Sequence, residues 1–262
     1  MLLQNRVVII SGIGPGLGSK LAIEAAREGA RVVVAARTAG RLDETERRMQ
    51  TVAPGCEVLK QPTDINERSQ CQRLVAAAVA RFGRIDGLVN SAYLHGDFGS
   101  VLDADLDDWR RSFETNVVGT MNLTLETVAA MRQSGGGAIA MINTMATRKP
   151  FPGEAGYAAS KGALSVATKY LAREAGRHNI RVNSVHPGWM WGAPVQDYVR
   201  SAAAARQVSE DEIVRPIAAG MALGRIVTDD EVARVALFLV SDYSTAMTGA
   251  VVDANGGEFI AV

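Results

Sequence analysis

Arg6-Val7-Val8-Ile9-Ile10-Ser11-Gly12-Ile13-Gly14-Pro15-Gly16-Leu17-Gly18 decides how the rest of the chain is read. Its first half is a short apolar, β-branched run of the kind that forms a strand buried on both faces. The second half is a glycine-rich turn, and a helical segment, Ser19 to Glu28, follows and closes at Gly29. Strand, glycine turn and helix in that order place backbone N–H groups at a helix N-terminus, where a dinucleotide pyrophosphate can rest. Leu17 and Ser19 break a G-x-G-x-x-G spacing, so the operative pattern is Gly12, Gly16 and Gly18, G-x-x-x-G-x-G.

Working outward, Arg31 to Ala36 reads as the second strand. Ala36 stands where an acidic residue would bind ribose hydroxyls and repel a 2′-phosphate, and Arg37 and Thr38 follow as phosphate contacts. NADP(H) is therefore favoured over NAD(H), which stays open because Arg37 could equally stack on adenine or be a solvated charge. A charged helix (Arg41 to Gln50) and a third strand (Cys56 to Gln61) lead to Asp64-Ile65, placed either to meet the adenine or to cap the next helix, Glu67 to Arg81. Gly83 ends that helix, and Ile85 to Asn90 is a fourth strand. The alternation predicts an α/β fold, a Rossmann-type doubly wound parallel sheet of about seven strands with helices on both faces. Leu106 to Gln133 reads as one long helix with Asn116 inside it, a locally unfavourable residue that suggests a kink and a polar role. Ala138 to Asn143 is a strand ending at Thr144, and Ile180 to Val185 is another ending at His186-Pro187-Gly188. Trp189 to Thr228 is too long for an idle connection and suits a lid over a substrate. A helix (Asp229 to Val240) and a strand (Ala250 to Asp253) finish a single domain spanning residues 1–262.

Tyr157 and Lys161 lie four apart on a predicted helix, Tyr157 to Arg177, and so share a face about 6 Å apart along its axis. An ammonium one turn away favours a phenolate, which lets a tyrosine exchange protons near neutral pH. Lys+Arg 28 balances Asp+Glu 28, so nothing attracts a polyanion and nucleic acid is not the expected partner. Cys56 and Cys71 are too few for a disulfide framework, and no ligand spacing calls for a metal. Without a signal-like start or a membrane-length apolar run, the plain reading is a soluble, cytoplasmic protein.

Together these residues resemble the short-chain dehydrogenase/reductase family over essentially the whole chain. Ser11 to Gly18 resembles T-G-x-x-x-G-x-G with serine first, Tyr157 and Lys161 match Y-x-x-x-K, and Thr144 takes the place of the family's catalytic serine. Asn116 matches the tetrad asparagine, Pro187-Gly188 the turn beside the nicotinamide, and Thr248-Gly249 with Gly256-Gly257 the C-terminal pattern. The resemblance implies hydride transfer between nicotinamide and a secondary alcohol or ketone. Tyr157 would be the acid–base group, Thr144 would orient the substrate oxygen, Lys161 would tune Tyr157 and hold the ribose, and Asn116 would hold a water. It also implies cofactor contacts at Ser11, Gly12, Gly16, Leu17 and Gly18 around the pyrophosphate. Arg37, Thr38, Asp64 and Ile65 would meet the adenosine. Asn90, Ala92, Tyr157, Lys161, Pro187, Gly188 and Met190 would meet the nicotinamide half. A homotetramer follows from the same resemblance. Asn90-Ser91-Ala92-Tyr93 departs from the usual N-N-A-G, and with Trp189 and Trp191 Tyr93 is expected to shape an apolar substrate pocket for a hydrophobic or cyclic alcohol or ketone. Two alternatives stand beside this: a non-catalytic nicotinamide sensor, and an epimerase or dehydratase with tightly held cofactor. His95 and His186, the histidines nearest the site, are either acid–base groups or structural ones.

Overall fold

A computed structural model describes residues 1–261. Seven parallel strands form one sheet in the order β3-β2-β1-β4-β5-β6-β7, with the reversal of direction between β1 and β4. The strands are β1 (Val7–Ser11), β2 (Arg31–Ala36), β3 (Val58–Pro62), β4 (Gly87–Asn90), β5 (Gly137–Ile142), β6 (Ile180–Pro187) and β7 (Val251–Ala254). Side-chain alternation along β1 explains the two layers: Val8 and Ile10 face one core, Val7 and Ile9 the other. The first core is closed by α1 (Leu17–Arg27), α2 (Ala39–Val52) and α9 (Asp229–Leu239), through residues such as Leu21, Leu42 and Leu237. The second lies under α3 (Arg68–Phe82), α5 (Thr120–Gln133) and α6 (Ala155–Ala175), through Leu74, Leu123 and Leu164. Burial on both faces is why the strands read as continuous apolar runs.

The long helix expected over Leu106 to Gln133 is divided. α4 (Leu106–Phe113) passes into a π-helical stretch, Glu114–Gly119, before α5 begins. Asn116 sits in that stretch, as a kink with a polar role requires. Asp64 does not cap the next helix: Glu67 occupies the cap position, and the Asp64 carboxylate instead accepts the Asn66 N–H at 3.0 Å in a local turn.

The stretch after β6 is more ordered than its composition suggests. It holds α7 (Ala193–Arg206) and α8 (Glu210–Ala219), joined through a small core of Val199, Ala203 and Ile213. Its two ends are tied together where Met190 pairs with Val227 and the Trp191 N–H donates to the Val227 carbonyl at 2.7 Å. At the far end of the sheet, Arg181 of β6 donates to the Leu239 carbonyl (3.1 Å), the Ser241 carbonyl (2.8 Å) and Ser244 Oγ (3.0 Å). It thereby fastens the chain between α9 and β7 to the strand it will flank. Among the described residues, no helix is long and apolar enough to cross a membrane.

Candidate active site

The ends of β5 and β6 and the start of α6 bring the predicted chemical groups to the carboxyl edge of the sheet. Thr144 lies two residues past the end of β5 and caps a short turn, its Oγ1 accepting the Ala146 N–H at 3.1 Å. With that lone pair used, the threonine proton is left to donate. Lys161 is 2% exposed, and its Nζ donates to the Ile142 carbonyl at 2.8 Å; burial pulls its pKa down to about 7.

Tyr157 corrects an expectation. Burial, then Tyr93 and Glu154, raise its pKa above the ordinary phenol range, while a hydrogen bond from Thr144 works the other way. The predicted one-turn spacing is present, but the ammonium is directed at the Ile142 carbonyl.

Asn116 is buried, and its side chain makes three hydrogen bonds within the protein. Its Oδ1 accepts the Leu94 N–H at 2.7 Å, and Nδ2 donates to the Leu94 carbonyl (2.8 Å) and to Ser160 Oγ (2.9 Å). Ser160 in turn donates to the Tyr157 carbonyl at 2.7 Å. The amide thereby grips the loop after β4 like a strand partner. Ser160 was not singled out from sequence, although it lies inside the Tyr157–Lys161 motif. Around Tyr157, the His95 ring stacks at 4.6 Å and 21°, and Tyr93 stands at 6.0 Å, tilted by 58°.

The glycine turn is shaped for close backbone approach. Gly12 has φ 79°, and a Cβ there would run into Ala92 and Ser91 backbone atoms. A Cβ on Gly18 would collide with the Gly12 carbonyl. These two glycines build the turn, whereas Gly14 and Gly16 leave its outer side open; Pro194 of α7 is the nearest neighbour to a Cβ on Gly16, at 3.6 Å. No side chain caps α1, so its first N–H groups are presented at the turn. A pyrophosphate fits this cradle. Arg37 and Thr38 are exposed beside it at the end of β2, and Arg37 makes no ion pair among the described residues.

Several predicted contacts turn inward. Asn90 is buried, donating to Thr124 Oγ1 at 2.9 Å, and Ser11 Oγ reaches its Oδ1 at 3.5 Å. These side chains tie β1, β4 and α5 together. Leu17 and Ile65 are likewise core side chains. Asp64 stays half-buried at the edge, and Ala92 packs against Gly12. Pro187 is buried, and Gly188 is confined by Met145, Asn255 and Glu258. Met190 packs on the first core. Trp189 leans on Tyr198 at 5.4 Å, and the half-buried Trp191 packs against the α7–α8 core. His186 is 1% exposed beside Thr147 Oγ1 (3.4 Å), and burial with nearby Arg148 lowers its pKa to about 4. It stays neutral, a structural group.

A family model described as enoyl-(acyl carrier protein) reductase matches residues 12–258. Dehydrogenase/reductase SDR family member 4 of Bos taurus is 31% identical over 97% of this chain and 88% of its own length. The chain belongs to the short-chain dehydrogenase/reductase family. Among short-chain dehydrogenases/reductases it is also similar to the trans-4-hydroxycyclohexanecarboxylate dehydrogenase of Sinomonas cyclohexanicum, at 35% identity over 97% of this chain and 93% of the relative. The L-sorbose reductase of Gluconobacter frateurii, solved with NADPH and L-sorbose, superposes with a TM-score of 0.93 at 27% identity, with all of both chains covered. As a short-chain dehydrogenase/reductase the protein is an oxidoreductase acting between CH–OH and C=O groups.

Proposed function

We propose that this chain interconverts an apolar or cyclic secondary alcohol and its ketone with a nicotinamide dinucleotide, NADP(H) preferred. The observation that carries the reading is the convergence of Tyr157, Thr144 and Lys161 at the sheet edge beside an uncapped helix N-terminus. The nicotinamide, when bound, supplies or accepts the hydride at the substrate carbon. Gly14, Gly16 and the first turn of α1 would hold the pyrophosphate, and Arg37 with Thr38 the 2′-phosphate. Thr144 donates its free proton towards the substrate oxygen, and Tyr157 exchanges a proton with that oxygen. With its pKa raised, the Tyr157 phenol is protonated at neutral pH, the form that can give a proton to a carbonyl oxygen. Lys161, with a pKa of about 7, changes charge in the working range and keeps the base of the site polar.

Tyr93 and Phe98, both largely exposed, line the approach with apolar surface. Residues 189–228 act as a lid, hinged where Met190 meets Val227. The protein works as a cytoplasmic homotetramer through α5 and α6, whose outer faces expose Leu125, Val166 and Tyr170. Tyr157→Phe is expected to abolish turnover of cyclic ketones while nicotinamide-fluorescence titration shows NADPH affinity within about threefold of wild type, and tighter than NADH. Retained turnover in that variant would remove the assignment.

A further inference from the structure

Tyr157 is held on its flat face as well as along its helix. The His95 imidazole lies nearly parallel to the phenol ring, centroids 4.6 Å apart, and Phe98 covers the other face of His95 at 4.2 Å and 22°. The edge of the imidazole is also engaged: Nε2 stands 3.7 Å from Oε1 of Glu154, which lies just before α6 and three residues before Tyr157. The pair is only about a quarter exposed. His95 belongs to a loop without regular structure, which by itself would not keep a ring in one place. Asn116 supplies the missing constraint. By holding both the N–H and the carbonyl of Leu94, and through Ser160 the carbonyl of Tyr157, it joins the residue before His95 to the turn that carries the phenol.

We propose that His95 is a positioning residue for Tyr157. The Phe98–His95–Tyr157 stack, registered by Asn116, fixes the plane of the phenol ring and so the direction of its O–H. This inference rests on the reading of Tyr157 as the proton-exchanging group. An unsupported tyrosine ring turns about its side-chain bonds, and χ2 of an aromatic side chain is broad. Proton transfer needs donor and acceptor within hydrogen-bond reach along a fixed line, so loss of that plane falls on the chemical step. The imidazole does more than a phenyl would, because its polar edge towards Glu154 sets its own rotation in the plane.

Three variants separate these contributions, assayed with cyclohexanone and NADPH. His95→Ala is expected to lower kcat on the order of 30-fold, within the range that a misplaced reacting group costs, with KM and NADPH affinity little changed. His95→Phe keeps the stack and restores most of that loss. Asn116→Ala gives a fall like that of His95→Ala, and the double variant is no worse than the poorer single one, because both act on the same ring. A second readout needs no turnover: NMR of ring-labelled tyrosine, with Tyr157 assigned by Tyr157→Phe, follows the ring flips. Slow flipping in wild type and fast flipping in His95→Ala are expected. Equal flipping rates in the two proteins would overturn the proposal, as would a loss confined to KM or additive effects of the two substitutions. Turnover surviving Tyr157→Phe would instead remove the functional reading, and the ring-flip comparison would still decide whether the stack holds the ring.

Discussion

His186 shows how a single residue in this site records its surroundings. With its pKa at about 4, against an ordinary value of 6.5, the folded protein leaves His186 neutral where the unfolded chain takes up a proton. Unfolding therefore binds a proton between those two pH values, and stability falls as the pH drops through that window. Above about pH 6.5 this group has no further effect. Its share is on the order of 3 kcal/mol at the acid end. His186→Asn should flatten the pH dependence of urea-unfolding free energy between pH 4 and 6.5; an unchanged slope would mean that other groups set the acid limb. Residue identities were the most legible part of the site. Tyr157, Lys161, Thr144 and Asn116 all come to the expected edge because their spacings are tied to strand ends and helix turns. Their partners were not legible. Whether Lys161 meets a phenol or the Ile142 carbonyl depends on packing across the sheet, which no local spacing encodes. For the same reason Asn90, Ser11, Leu17 and Ile65 matched a motif while their side chains turned into the protein.

Among the elements, the turn between β1 and α1 follows most directly from sequence, since Gly12 and Gly18 each answer a close backbone contact. Gly18→Ala drives a methyl group against the Gly12 carbonyl. It should destabilise the fold by about 2 kcal/mol, as overpacking does, and weaken NADPH binding as the turn opens; calorimetry and fluorescence titration would show both together. Wild-type stability and affinity in that variant would mean the turn has slack. The strands were readable because two-sided burial leaves continuous apolar runs. α7 and α8 were not, since an alanine run and a charged segment carry little periodicity. What marks α8 is a capping box, Ser209 with Glu212, and the same device, Thr228 with Glu231, opens α9.

The whole molecule leaves apolar side chains outside its two cores, on the outer faces of the helices that carry Asn116 and Tyr157. Val166 is 55% exposed and Tyr170 69%, on the same face of α6. If four copies assemble through these faces, Val166→Glu combined with Tyr170→Glu should shift the sedimentation coefficient from that of a tetramer to that of a smaller species. A wild-type protein that sediments as a monomer at micromolar concentration would remove the assembly from the proposal. The anchoring of β6 by Arg181 has a further consequence, for the chain during its synthesis. β6 leaves the ribosome well before β7 exists, so its outer hydrogen-bonding edge is bare until then, next to the strands that precede it. The guanidinium on that strand finds its carbonyl partners only when the segment from Leu239 to Met247 emerges. Until then a cation without those partners stands at the strand's start, a charge that discourages another nascent chain from docking there, and its hydrogen bonds form just as the rightful strand arrives.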